Sequence, residues 1–150
     1  MSSVSRPSSE KHREAPAPVL LYDGACGFCA SSVQWMLRHD RRGTLRFAAL
    51  AGAYAAAVLG RHPELDGIDS MVWVEPETPD TPEQVSVRSA AAIRAAQYLG
   101  GPWRIALLGR ALPRRFRDAT YDLLARHRHH LGVSETCLLP SADVRARFLE

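Results

Sequence analysis

The segment Val19-Leu20-Leu21-Tyr22-Asp23-Gly24-Ala25-Cys26-Gly27-Phe28-Cys29 is the most informative part of this sequence. Residues 19–22 are a short apolar run, typical of a buried strand. Asp23-Gly24 is a turn signal, and the apolar residues that follow recur with the spacing of one helix face. That face consists of Cys29, Val33, Met36 and Leu37. The segment therefore predicts a strand, a tight turn and a helix that opens on a C-x-x-C motif.

After this helix, strands and helices continue to alternate. Residues 45–50 predict a second strand, and 51–60 an alanine-rich helix closed by Gly60. Two further strands, 70–75 and 84–88, flank a proline-rich hairpin loop. A β-α-β-α order is typical of a parallel sheet with crossover helices, so the predicted fold class is α/β.

The C-terminal part is predicted to be helical. Ser89 is a candidate N-cap for a helix over 90–99, and a second helix follows over 103–110. A longer helix over 114–130 has the clearest amphipathic pattern in the chain, and a final helix spans 142–149. One face of the long helix carries Phe116, Ala119, Thr120, Leu123, Leu124, His127 and Leu131.

Length and composition limit the class of protein. The chain has 150 residues, of which 46% are hydrophobic and 23% charged, and its net charge is +3. These values are typical of one globular domain and give no reason to expect a nucleic-acid partner. Residues 1–18 are polar and lack periodicity, so we predict a disordered tail followed by a single domain over 19–150.

We find no targeting segment in the sequence. The N-terminal residues lack the apolar core of a signal peptide, and the longest nearly apolar stretch, 47–60, is too short to span a bilayer. We therefore expect a cytoplasmic protein without a membrane span. Thiols are kept reduced in that compartment, where cysteine pairs are typically catalytic, redox-sensing or metal-binding.

Cys26 and Cys29 are the main candidate catalytic residues. Two intervening residues put the sulfur atoms at i and i+3 of a helix, close enough to form a disulfide with modest strain. The first cysteine lies at the helix N-terminus, where the positive end of the dipole favours a thiolate. Cys26 would then attack a disulfide, and Cys29 would resolve the mixed disulfide.

Three neighbours of the pair are candidate site residues. Asp23 has two interpretations that are compatible with each other: a turn residue that accepts backbone N–H bonds, or a carboxylate that relays a proton during exchange. Tyr22 is expected in the strand core, and Phe28 is expected to offer apolar surface to a substrate.

The remaining cysteine and the histidines leave alternatives open. Cys137 is interpreted as a buried structural thiol, and a third redox cysteine is the less favoured interpretation. A structural zinc site would need His127, His129 or His130 together with the cysteines, but the spacing is not compact. We therefore predict no metal and no organic cofactor. A non-catalytic redox sensor or protein-binding module on the same fold is the main alternative to an enzyme.

Several segments together resemble the DCC family of predicted thiol-disulfide oxidoreductases. They are YDGACGFC, RFAAL, DSMVW, RSAAAI, GGPWR and a C-terminal CLLP followed by RFL. The resemblance extends from about Val19 to Leu149, and the Asp and two Cys that name the family correspond to Asp23, Cys26 and Cys29. It implies a thioredoxin-like sheet, here with a C-terminal helical extension, and dithiol–disulfide exchange with a protein or low-molecular-weight thiol.

One departure from the wider thioredoxin pattern concerns substrate capture. Thioredoxin-like proteins carry a cis-proline just before the strand that faces the C-x-x-C, whereas this chain has Ile68-Asp69-Ser70-Met71. Ser70 is predicted at that position, as a candidate substrate-binding residue. Arg88 and Ser89, at the next strand-to-helix step, are candidate neighbours of the site.

Overall fold

A computed structural model of the chain describes residues 16–25, 27–127 and 142–149. Its strands are β1 (Val19–Tyr22), β2 (Arg46–Ala49), β3 (Val72–Glu75), β4 (Gln84–Val87) and β5 (Phe148–Leu149). They form one sheet with the order β4-β3-β1-β2-β5. β1 is parallel to β2 and antiparallel to β3, β3 is antiparallel to β4, and β2 is parallel to β5.

Helices connect and flank these strands. They are α1 (Gly27–His39), α2 (Ala53–Arg61), α3 (Arg88–Leu99), α4 (Arg114–His127) and α5 (Ala142–Arg145), with 3₁₀ segments at Pro63–Leu65 and Gly101–Ala111. A mixed five-stranded sheet with helices on both faces confirms the predicted α/β class and is consistent with a thioredoxin-like fold.

The side chains of β1 separate two apolar layers. Leu20 belongs to the layer that also contains residues of α1 and α3, while Val19 and Leu21 belong to the layer that contains residues of α2. This division follows from the alternation of side chains along a strand. All three are almost completely buried, so the middle of the sheet has no room for polar groups.

Arg147 joins the C-terminal strand to the first half of the fold. Its guanidinium donates to the Leu45 carbonyl at 2.8 Å and pairs with the Asp40 carboxylate. The Asp40 side chain is 1% exposed and also accepts backbone N–H bonds from Arg42 and Gly43 at 3.1 Å. The counter-charge of the buried Asp40 carboxylate is therefore an arginine that lies 107 residues later in the sequence.

Two predicted helix boundaries were wrong. Gly60 lies inside α2, which continues to Arg61 and ends where the His62 N–H bonds to the carbonyls of Val58 and Leu59. The final helix over 142–149 stops at Arg145, after which the chain enters β5. The C-terminal extension is therefore not purely helical: its last residues extend the sheet.

Two further helical predictions need correction. Ser89 is not an N-cap: α3 begins one residue earlier, and the Ser89 hydroxyl donates to the Asp118 carboxylate of α4. The helix predicted over 103–110 is a 3₁₀ segment. An 11-residue 3₁₀ run is unusually long, because such runs rarely exceed about four residues.

The amphipathic face predicted for α4 exists but is turned outward. Phe116, Ala119, Thr120 and Leu123 are exposed, whereas the polar residue Asp118 is half-buried. Asp118 accepts the Ser89 hydroxyl, so the polar face of α4 is the one that contacts α3. The remaining side chains predicted on that face, those of Leu124, His127 and Leu131, are outside the described part of the chain.

Replacing Arg147 with Met should destabilise the fold by about 2–3 kcal/mol, because it leaves the buried Asp40 carboxylate without its counter-charge. Urea unfolding followed by circular dichroism measures this directly. Arg41→Met is the matched control, since Arg41 is an exposed arginine beside Asp40. Equal unfolding midpoints for the two variants would show that β5 adds no stability through this pair.

Candidate redox site

The C-terminal end of β1 leads directly into the predicted site. Tyr22 is the last residue of the strand, and its carbonyl accepts the Leu50 N–H at 2.8 Å. Asp23 Oδ1 then accepts the Ala25 N–H at 2.9 Å, which closes the turn. α1 begins at Gly27 with no acidic residue in its first turn, so no carboxylate within that turn offsets the positive end of its dipole. The strand, turn and helix predicted for this stretch are confirmed.

Cys29 points into the protein from the first turn of α1. It is 4% exposed and shares an apolar cluster with Val33 and Met36, which follow at i+4 and i+7 of the helix. Met71, just before β3, belongs to the same cluster. The second cysteine of the motif is therefore shielded from solvent, as its predicted position inside the helix requires.

Other predicted site residues are outside the described part of the chain. These are Cys26, the side chain of Phe28, and His129, His130 and Cys137. Within the described ranges, no group of three or more His, Cys, Asp or Glu side chains is placed to hold a metal ion. In those same ranges no helix is long and apolar enough to cross a membrane.

Ser70 approaches the site from the neighbouring strand. The pairing of β3 with β1 begins at Val72, which lies opposite Leu21, and Ser70 lies two residues before Val72, so it is near the C-terminal end of β1. Ser70 is buried, and its Oγ has no hydrogen-bond partner among the described residues. Such a group costs about 1–3 kcal/mol when left unsatisfied, so the position is suited to a bond with a bound molecule.

Tyr22 is held against the C-terminal strand. Its ring meets Phe148 edge to face, with centroids 6.3 Å apart, and burial raises the pKa of its phenol. The hydroxyl therefore stays protonated at neutral pH. Phe148 was not predicted as a neighbour of the site, because the local pattern placed it in a helix; the only signal for it was the C-terminal RFL segment of the family resemblance.

Arg88 and Ser89 mark a strained step between β4 and α3. Arg88 has a φ of +52°, and it is the one non-glycine residue of the described ranges with a positive φ. A left-handed conformation costs a non-glycine residue about 1–3 kcal/mol, and such residues cluster at functional sites. Arg88 follows Val87, which pairs with Val72, so the step lies at the same edge of the sheet as Ser70.

A cavity of about 520 Å³ lies beside α1, and its lining starts at Ser31, two residues after Cys29. Its walls are mostly apolar and come from α1, α3 and the Gly101–Ala111 segment. Met36 and Met71 line it and also belong to the cluster that contains Cys29. Trp35 and Trp103 meet there edge to face, 4.5 Å between centroids.

Comparison with known proteins identifies the family. Residues 20–134 match the DCC1-like thiol-disulfide oxidoreductase family, and the chain belongs to it. It is 34% identical over 138 residues to the uncharacterized protein YuxK of Bacillus subtilis, covering 91% of this chain and 96% of that protein. It is 30% identical to a chloroplastic DCC family protein of Arabidopsis thaliana, covering 88% of this chain and 75% of the relative. No solved structure matches the chain.

Two substitutions at Asp23 should separate its turn bond from its charge. Asp23→Asn keeps an oxygen that can accept the Ala25 N–H and should change the free energy of unfolding by less than about 0.5 kcal/mol. Asp23→Ala removes the acceptor and should cost about 0.5–1 kcal/mol. Urea midpoints compare the two. Equal destabilisation by both variants would mean that the charge, and not the hydrogen bond, supports the turn.

Proposed function

We propose that this member of the DCC1-like thiol-disulfide oxidoreductase family exchanges a Cys26–Cys29 dithiol or disulfide with a protein or low-molecular-weight thiol. The observation that carries the proposal is the buried Cys29 in the first turn of a helix that starts directly after a tight turn at the end of the central strand. A C-x-x-C motif in that context is typical of thioredoxin-like redox proteins. The expected compartment is the cytoplasm, and no metal or organic cofactor takes part.

The first step belongs to Cys26, which immediately precedes the first residue of α1. Its thiolate attacks one sulfur of a substrate disulfide, so a mixed disulfide forms and one substrate thiolate leaves. The helix N-terminus favours the negative charge on the attacking sulfur.

The second step belongs to Cys29. Its thiolate attacks the Cys26 sulfur, the mixed disulfide breaks, and the second substrate thiol is released. Two electrons have then moved from the protein to the substrate, and the protein holds a Cys26–Cys29 disulfide. The same steps in reverse oxidise a dithiol substrate, so the reduction potential of the pair sets the direction.

Four further residues complete the proposed site. Asp23 accepts the proton that the buried Cys29 must lose before it can attack. Ser70 binds the substrate backbone through its unsatisfied Oγ, while Tyr22 and Phe28 contact apolar parts of the substrate. Tyr22, Asp23 and Ser70 lie at the edge of the sheet from which α1 starts, which supports these assignments.

Serine substitutions should distinguish the two cysteines. Cys26→Ser should lower dithiothreitol-driven reduction of insulin by at least about 100-fold, because no attacking thiolate remains. Cys29→Ser should still attack and should accumulate a mixed disulfide, visible as an added mass by intact-protein mass spectrometry. Cys137→Ser is the matched control and should keep full activity.

Full activity of Cys26→Ser would overturn this mechanism. A wild-type protein that oxidises reversibly between Cys26 and Cys29 but reduces no insulin would instead be a redox sensor.

Asp23→Asn should slow turnover while leaving the first attack intact. Loss of the negative charge does not impair the Cys26 thiolate, so alkylation of Cys26 by iodoacetamide at pH 7 should be unchanged or faster. Insulin reduction should fall by at least about ten-fold, because resolution by the buried Cys29 lacks a proton acceptor. Asp66→Asn removes an exposed carboxylate elsewhere and serves as the control. If Asp23→Asn reduced insulin as fast as the unmodified protein, Asp23 would act only as a turn residue and not as a proton acceptor.

A further inference from the structure

We propose that the outer face of the Gly101–Ala111 segment and α4 binds the surface of a membrane that contains anionic lipids. The face is defined by five large apolar residues, Ile105, Leu108, Leu112, Phe116 and Leu123, and is called here the apolar C-terminal face. This binding does not depend on thiol exchange and would bring the redox site to a membrane.

The five side chains are far more exposed than is usual for their type. Their exposed fractions lie between 51% and 72%, and in the described ranges the only other exposed large apolar side chain is Trp35, at 36%. Ile105 and Leu108 are three residues apart, so they lie on one ridge of the 3₁₀ segment. Phe116 and Leu123 are seven residues apart on α4 and share one face of that helix.

The orientation of α4 makes this exposure specific. The half-buried side of the helix includes the polar residue Asp118, bonded to Ser89 of α3. A helix that only packs against a protein core has its apolar side inward, whereas α4 has its apolar side outward and its polar side inward. A group of large apolar side chains exposed in this way indicates an interaction site.

The charge along the segment that defines the apolar C-terminal face is mostly positive, and Asp118 and Asp122 of α4 are its two acidic residues. Residues 101–117 contain five arginines and no aspartate or glutamate. Arg104, Arg110 and Arg115 are exposed and form no ion pair with any described residue, while Arg114 pairs weakly with Asp118 at 3.5 Å. Unpaired arginines that border leucine, isoleucine and phenylalanine are the combination with which interfacial segments bind anionic lipid surfaces.

Two other partners fit these residues less well. A nucleic acid would use the arginines but would leave the aliphatic side chains in water, because backbone contacts require charge and not leucine. A second copy of the chain would cover the apolar residues but would bring two sets of unpaired arginines towards each other across a symmetric contact. An anionic membrane accommodates both groups, with the apolar side chains below the headgroups and the guanidinium groups among the phosphates.

Sedimentation with vesicles tests the proposal on the full chain. The protein is mixed with sucrose-loaded vesicles of two compositions. One is phosphatidylcholine alone, and the other also contains about 30% phosphatidylglycerol, which makes its surface strongly anionic. We expect the protein to bind the anionic vesicles at least about ten-fold more tightly than the neutral ones. Binding to the anionic vesicles should weaken in about 0.5 M salt, because the screening length is then only about 4 Å. Equal binding to both vesicle types, or to neither, overturns the proposal.

Matched variants assign the binding to this face. Arg115→Gln should weaken binding to anionic vesicles about five-fold, since each basic residue near the surface contributes about 1 kcal/mol. Arg46→Gln removes the same charge from an exposed arginine of β2, whose side chain lies on the α2 side of the sheet, and should bind like the unmodified chain. A paired Leu108→Ser and Phe116→Ser variant should lose at least about ten-fold, and because both residues are exposed it should keep its unfolding midpoint.

Three results would reject the membrane in favour of another explanation. A nucleic-acid surface would be indicated if a DNA duplex displaced the protein from vesicles and also bound the paired Leu108→Ser and Phe116→Ser variant as tightly as it binds the unmodified chain. A dimer by light scattering that the same variant dissociates would indicate a second copy. Equal loss from Arg46→Gln and Arg115→Gln would indicate non-specific attraction. Cys26→Ser should bind vesicles normally, so failure of the redox proposal and failure of this one are separate outcomes.

Discussion

The buried central strand β1 is the constraint on which the rest of the structure depends. It is hydrogen-bonded on both edges, to β2 and to β3, and both of its faces are covered by apolar layers. A strand in that position cannot contain a polar side chain without a partner. The first charged residue after it, Asp23, therefore emerges at its C-terminal end, and α1 starts just beyond the turn that Asp23 closes. In open sheets containing parallel strands, this is the edge at which ligands usually bind.

Much of this core was predictable because its determinants are local. β1, the Asp23 turn and the apolar face of α1 each depend on the spacing of a few neighbouring residues, and the structure confirms all three. The Thr78–Thr81 hairpin between β3 and β4 likewise follows from its prolines. Within the candidate site, the burial of Cys29 was predictable from helix periodicity, whereas the placement of Ser70 near the C-terminal end of β1 required the pairing of β1 with β3.

The features that could not be predicted depend on residues distant in sequence. Ser89 has the chemistry of an N-cap, but its hydroxyl bonds to Asp118, 29 residues away. Phe148 follows a helical pattern, yet it pairs with Phe47 of β2, because Arg147 beside it reaches the buried Asp40. β5 also lies beyond the region that matches the family, residues 20–134. It pairs with β2, whose outer edge would otherwise present unpaired backbone groups.

The same amphipathic pattern has opposite meanings in α1 and α4. Periodicity identifies a helix with an apolar side but does not say what covers that side. For α1 the cover is the sheet, and Val33 and Met36 are buried there. On α4 the side chains of Phe116 and Leu123 are exposed. Burying a large apolar side chain contributes about 1.5–3 kcal/mol. A chain that leaves several such side chains in water therefore lacks that contribution to its free energy of unfolding for each of them. The arginines beside them decide what kind of cover fits, because a guanidinium group is stabilised by an anionic partner and not by an apolar core. The charge next to an apolar face is therefore the sequence feature that distinguishes a face that packs in the protein's own core from one that suits a membrane surface.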